Sequence, residues 1–190
     1  MEFGVDYIIR SIKATDSVNS FKTGNSEFQP LKAFLKNEAV EFQRGMVAQT
    51  YVCILLEKRK KDIDKQDYGK VIGYLTLTCS ELDITNGYDI EDCPYANKYG
   101  SLPAVKIARL AIDSRYRERG YRLGSRFIQL ALEIATDDIY PTVGCRFLIT
   151  DAKKSAVGFY IKEGFEQLDT PENLSIDSPI MFIDLLKILN

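Results

Sequence analysis

The sequence predicts an α/β (α+β) fold, a sheet with helices on both faces, built as one domain over residues 1–190. Three observations predict it. Short runs rich in β-branched and aromatic residues recur along the chain. Apolar residues at helical spacing lie between them. From Ala104 the order becomes strand, helix, strand, helix, and then a last strand. No linker or internal repeat divides the 190 residues, and 45% apolar with 27% charged residues is ordinary for a chain with a single core.

The elements follow in order. A run near Val5–Arg10 reads as a first strand. Pro30 precedes Leu31, Phe34, Leu35, Ala39, Val40 and Phe42, whose spacing predicts a helix over about Pro30 to Gln43, with proline in the tolerant first turn. TYVCILL at Thr50–Leu56 and VIGYLTLTCSEL after Lys70 predict an antiparallel hairpin. In its charged connection, Lys58–Lys61 is read as a solvated turn, against the alternative of a phosphate-binding patch. Glu81–Gly100 is acidic and reads as a long loop, a kind that often serves function. AVKIARLAI is a strand and Asp113–Arg122 a charged connection. Leu123–Ala135 is a helix with Leu123, Phe127, Ala131, Ile134 and Ala135 on one face. GCRFLIT is a short strand, and a helix runs from Asp151 to about Lys162 with Gly164 as its cap. A strand near Pro179–Leu186 ends the series.

Composition excludes several chemistries. With no histidine, the chain has no Ser-His-Asp or Cys-His centre and none of the usual catalytic zinc sites. Cys53, Cys79, Cys93 and Cys145 show no paired spacing, so neither a metal cluster nor a disulfide framework is expected. Cys53 and Cys79, in apolar runs, read as inert core thiols. No signal-like N-terminus and no apolar run of membrane length is present, so a soluble, cytoplasmic chain without membrane partners is expected. The formal charge of -2 gives no global attraction for nucleic acid.

The chemistry concentrates after Ala104. There a strand meets Arg117, Arg119, Gly120, Arg122 and Gly124 and then a helix. Helix starts expose backbone N–H groups, glycine admits an anion closely, and guanidinium adds charge-assisted bonds. A pyrophosphate cradle fits; so does an exposed Arg/Glu-rich turn before a surface helix. No P-loop or dinucleotide fingerprint is present.

RLAIDSRYRERGYRLG resembles the acetyl-CoA-binding motif of GNAT acyltransferases: Arg or Gln, two residues, Gly, one residue, then Gly or Ala. GCRFLITDAKKSAVGFYIKEGF resembles that family's second motif. FKTGNSEFQPLKAFLKNEA and VIGYLTLT resemble the branch that includes the acetylating toxins of toxin–antitoxin pairs. The likeness runs from about Phe21 to Phe165. It implies a mixed, mostly antiparallel central sheet and an N-acetyltransferase with acetyl-CoA as donor and no metal. The motif fits in two registers. One starts at Arg117, with Arg122 in the place of the second small residue; the other starts at Arg119, with Arg122 in the place of the first Gly. Both stay open. The resemblance assigns Leu110, Ala111, Ile112, Arg117, Glu118, Arg119, Gly120, Tyr121, Arg122, Leu123, Gly124, Ser125, Lys153 and Phe159 to cofactor binding. Lys153 stands where many relatives have Asn.

Acyl transfer to an amine needs a neutral amine, a stabilised oxyanion and a proton for the leaving thiolate. The resemblance gives the oxyanion to backbone amides of Leu110–Ile112 and the proton to Tyr160. The alternative for Tyr160 is an ordinary half-buried tyrosine with its hydroxyl in water. Glu81 and Asp113 are base candidates by neighbourhood, as is a bound water. The main acceptor reading is a small-molecule or peptide amine, drawn by the acidic residues Glu81, Asp83, Asp89, Glu91 and Asp92, whose other reading is solubility. The alternative is toxin-like acetylation of aminoacyl-tRNA, which the net charge opposes. A third reading is a non-catalytic acyl-CoA sensor. A homodimer or an antitoxin is the macromolecular partner that the resemblance allows.

Overall fold

The computed structural model describes residues 1–56, 69–85, 87–117 and 119–189. Its seven strands are β1 (Tyr7–Ser11), β2 (Gln49–Leu55), β3 (Val71–Asp83), β4 (Ser101–Ile112), β5 (Phe147–Asp151), β6 (Glu166–Gln167) and β7 (Ile180–Asp184). They form one mixed sheet in the order β1-β2-β3-β4-β5-β7-β6. The pairs β1–β2, β2–β3, β5–β7 and β6–β7 are antiparallel, and β4–β5 is parallel. Ile72 O accepts from Asp113 N and Gly100 O from Ile84 N, so β4 returns alongside β3 in the opposite sense. The predicted hairpin is thus observed; Lys58–Lys61 in its connection lies outside the described residues. The chain divides into two compact units, Met1–Leu77 with Arg109–Phe127, and Thr78–Ala108 with Ile128–Asn190.

In the first unit the strand alternation sorts two faces. Val52, Ile54, Tyr74 and Ala111 pack with Phe21, Phe34 and Leu35 in one core. On the opposite face Cys53 is paired with Gly73, where a Cβ would come within 2.9 Å of Ile112 Cδ1 and 3.0 Å of Phe127 Cε2. Glycine is required there because helix and sheet approach so closely. Helices therefore cover both faces of these strands, as predicted. The helix expected over Pro30–Gln43 is two helices, α1 (Gln29–Asn37) and α2 (Ala39–Arg44), broken at Glu38 (φ -124°). The break turns Ala39 fully inward and sets the Phe42 ring edge-on to Phe34 at 5.3 Å, contacts a straight helix would forgo. At the unit's far end are α3 (Ser114–Arg117) and the start of α4 (Leu123–Glu133).

In the second unit Leu82, Ile84, Ile90, Ala104, Phe147, Ile149, Leu168 and Phe182 form the core. The segment predicted as a long acidic loop is irregular over its described residues after β3, apart from a 3₁₀ turn at Pro94–Lys98, and Ile84, Tyr88, Ile90 and Ala96 pack into the core. β3 continues to Asp83, and Tyr88 sets its ring 5.7 Å from Phe147 and 5.0 Å from Phe182. The Asn97 side chain bonds both N–H (2.8 Å) and C=O (3.3 Å) of Ile90, satisfying buried backbone where no strand partner exists. Cys79 is exposed, not a core thiol, because it falls on the outward position once β3 begins to alternate; Cys53 is buried as predicted.

The helix predicted from Asp151 starts later. Asp151 still pairs with Ile180 in β5, a 3₁₀ turn at Lys154–Ala156 follows, and α6 spans Val157–Lys162. Gly164 ends it at φ 90°, with Gly164 N donating to Ile161 O and Phe165 N to Tyr160 O, the paired bonds of a glycine cap. Past Glu133 the helical path widens into a π turn, Ile134–Ile139, before α5 (Tyr140–Val143), whose Pro141 has no N–H to donate. Short α7 (Pro171–Ser175), capped by Thr170, and α8 (Leu185–Leu189) escape sequence reading. Among the described residues no helix is long and apolar enough to cross a membrane.

Candidate functional site

The end of β4 carries Leu110, Ala111 and Ile112, and directly after it Asp113 is fully buried. A bare carboxylate there would be costly; this one is satisfied. It accepts from Lys22 N (2.9 Å), Arg115 N (3.0 Å), Arg115 Nε (3.0 Å) and Arg115 Nη2 (2.8 Å). Arg115 Nη2 also donates to Ser20 O, and Ser114 N to Lys22 O. Asp113, read from sequence as a candidate base, thus ties residues 20–22 to the turn that feeds the Arg/Gly loop. Both of its oxygens face these donors, a structural engagement.

Arg117 is exposed, yet its Nη2 turns back to Thr23 O and Ile112 O, both at 3.3 Å, and the group lies 5.5 Å from the Phe28 ring. Arg119 sits 5.5 Å over the Tyr116 ring, and Tyr121 is 6.4 Å from the same ring. Glu118 lies outside the described residues. Gly120 (φ 69°) and Arg122 (φ 50°) both take left-handed backbone. For arginine that conformation costs about 1–2 kcal/mol. The two residues flank Tyr121 and turn the chain sharply into α4. Leu123 is buried and anchors the start, and Gly124 and Ser125 complete a first turn that precedes the first intrahelical bond, Arg126 N to Arg122 O at 3.1 Å. A helix start leaves amide donors unpaired, and a left-handed turn leading into it suits an anion. Among the described residues the Arg122 guanidinium has no hydrogen-bond or ion-pair partner.

In the second unit, Tyr160 on α6 is only 7% exposed, so the reading with its hydroxyl in water is wrong. Burial raises its pKa, and a hydrogen bond with the Thr150 side chain works the other way. Thr150 in turn donates to Ile107 O at 3.1 Å, which fixes its rotamer. The rings of Phe159 and Phe165 each stand 5.2 Å from the Tyr160 ring. The phenol is therefore protonated throughout the neutral range and rigidly held. Lys153 caps the preceding turn through its carbonyl, which accepts from Ala156 N at 2.7 Å. Glu81 is exposed and accepts from Ser101 Oγ at 2.8 Å.

Of the acidic residues proposed to attract a cation, Asp92 is held in two hydrogen bonds by Arg146, which also holds the buried Asp184. Asp83 accepts from Thr85 N at 2.8 Å. The net charge of -2 also hides a division. The first unit has 18 Lys and Arg against 12 Asp and Glu, the second 7 against 15. Net +6 and net -8 reside in different units, so the overall value says little about either surface.

No family model and no curated protein matches the chain. Solved structures do. A tyrosine-to-phenylalanine mutant of KacT superposes with a TM-score of 0.77 at 21% identity, over 97% of this chain and 98% of that one. AtaT complexed with acetyl-methionyl-tRNA gives 0.73 at 21%, over 97% and 98%. A mutant AtaT toxin bound to the C-terminus of the antitoxin AtaR and acetyl-CoA gives 0.70 at 20%, over 96% of each chain. At such identity the match shows the fold, and that fold is the GNAT-like mixed sheet.

Proposed function

We propose that the chain is an acetyl-CoA-dependent N-acetyltransferase and that its acceptor is the α-amine of an aminoacyl-tRNA. The observation that carries the acceptor class is the commitment of Asp113. Histidine is absent, Asp113 is saturated by Lys22 and Arg115, and Glu81 is engaged by Ser101. With the buried carboxylate beside the β4 end committed in this way, an amine that is already partly neutral suits the chain. An α-amine (pKa ~8) has a neutral fraction at pH 7 on the order of a few hundred times that of an alkylamine (pKa ~10.4). The AtaT structure with acetyl-methionyl-tRNA and the net positive first unit support the same acceptor. Of the acidic residues that the small-amine reading relies on, Asp92 is committed to Arg146, which weakens that reading's support.

Bound acetyl-CoA would supply the thioester. The left-handed pair Gly120 and Arg122, the α4 start and the unpaired Arg122 guanidinium fit its diphosphate. The register beginning at Arg119 is the one that puts Gly124 into that first turn; Arg117, turned toward Thr23 O, takes a structural part. Tyr121, Leu123 and Ser125 complete the segment, and the amides of Leu110–Ile112 serve the oxyanion. Tyr160, protonated because burial raises its pKa, delivers the proton to the departing sulfur. Phe159 and Lys153 line the pantetheine side in this reading. An antitoxin partner belongs to the same reading, since the AtaT toxin is seen with AtaR.

The test is incubation of the protein with acetyl-CoA and a thiol reagent, together with charged tRNA, uncharged tRNA or a simple alkylamine. Thiol release with charged tRNA alone, and an N-acetylated aminoacyl ester, is the expected result. Equal release with the alkylamine and none with charged tRNA would return the small-amine reading. Tight cofactor binding without any release would leave a sensor.

A further inference from the structure

Arg109 occupies β4 one residue before the Leu110–Ile112 segment, half-buried, on the face shared with Ala111. Its guanidinium lies 3.7 Å from the centre of the Phe34 ring and 5.9 Å from that of Phe42. Phe34 is 1% exposed, it stacks with Tyr74 at 6.3 Å, and the Tyr74 hydroxyl donates to Leu31 O in α1 at 2.7 Å. The cation thus rests against an aromatic shelf of Phe34 and Phe42, on either side of the α1–α2 break. Among the described residues it has no hydrogen-bond or ion-pair partner. Contact with a ring face restrains the guanidinium and uses none of its five N–H donors. An arginine immobilised in this way has little side-chain entropy left to lose on binding an oxyanion with two parallel bonds. Along a strand, Arg109 and Ile112 are about 10 Å apart, within reach of an arginine side chain and the substrate bound beside those amides.

We propose that Arg109, on the Phe34–Phe42 shelf, binds a phosphate of the acceptor's terminal nucleotide and so determines specificity for charged tRNA over simple amines. This rests on the aminoacyl-tRNA reading. An acidic peptide offers similar oxygens; the nucleotide is favoured because Arg109 stands beside the segment assigned to the reacting carbonyl.

The experiment compares wild type with Arg109→Gln and Arg109→Lys. Gln should raise KM for charged tRNA roughly 10- to 100-fold with kcat little changed, and lower the slope of log affinity against log salt by about 0.7–0.9. Acetyl-CoA affinity should stay within about twofold. Lys should restore the salt slope but not the full KM, since it keeps the charge and loses the fork. Unchanged KM and salt slope in Arg109→Gln would overturn the assignment, as would an equal loss of acetyl-CoA affinity. If the wild type acetylates no charged tRNA, the acceptor reading fails separately. Titration of adenosine 5′-monophosphate against the Arg109 Nε–H signal, assigned by its loss in Arg109→Lys, then decides the shelf. A saturable shift supports the site. No shift, or a shift only with a glutamate-rich peptide, overturns it.

Discussion

Single residues decide the chemistry here, and two buried oxygens illustrate how differently they can do so. Tyr160 has a phenol whose pKa burial raises and which hydrogen-bonds the Thr150 side chain. A group that stays neutral can donate a proton but cannot act as a base. Tyr160→Phe removes the donor and keeps the ring packed between Phe159 and Phe165. Turnover is expected to fall about 10²–10⁴-fold with acetyl-CoA affinity nearly unchanged. Steady-state kinetics beside calorimetric titration of the cofactor checks it, and full turnover at saturation would remove Tyr160 from the mechanism. Asp113 is the opposite case, a charge saturated by four donors. Asp113→Ala takes the acceptor from Lys22 N and from three Arg115 donors and should destabilise by about 3 kcal/mol, read from urea unfolding midpoints. Sequence alone could name both residues but could not separate them. Tyr160 came from a motif; the commitment of Asp113 depends on Ser20 and Lys22, about ninety positions away, a separation that no local pattern reports.

At the scale of elements, the decisive feature of the first unit is the seam between residues 20–25 and α3. Gly24 has φ 77°, and a Cβ there would fall 2.7 Å from Ser114 Cβ. Gly24→Ala adds backbone strain and overlap together, each about 1 kcal/mol or more. The seam should loosen, with a lower thermal midpoint and weaker coenzyme A binding by calorimetry, while Gly120→Ala should weaken binding with a smaller loss of midpoint, because nothing lies within 4 Å of that Cβ. In the second unit the loop after β3 is pinned at Asp92 by Arg146, whose hydrogen bonds hold the Asp92 carboxyl below its ordinary pKa. A depressed carboxylate contributes stability above its unfolded pKa of about 3.9 and loses it as pH falls through the lower folded value. Thermal midpoints should be flat from about pH 5 to 8 on this account and fall below about pH 4, less steeply in Asp92→Asn. Element type was legible wherever periodicity ran long, as in β2, β3, β4 and α4. Breaks were not: nothing in the run from Leu31 to Phe42 announces Glu38, because the gain comes from Phe34 and Phe42 meeting in three dimensions.

For the whole molecule, the two units are interleaved rather than consecutive. The chain passes between them at Leu77–Thr78, Ala108–Arg109 and Phe127–Ile128, and each crossing falls inside a continuous element: β3, β4 and α4. Neither unit is one piece of sequence, and β3, β4 and α4 each run through a crossing without interruption. The single domain expected over residues 1–190 should therefore unfold as one cooperative transition. Differential scanning calorimetry should give one peak. Its van't Hoff enthalpy should equal the calorimetric value, about 130 kcal/mol near 60 °C at ~0.7 kcal/mol per residue. A van't Hoff value near half the calorimetric one, or two resolved peaks, would mean that β3 and β4 fray at the crossings and that the units fold separately.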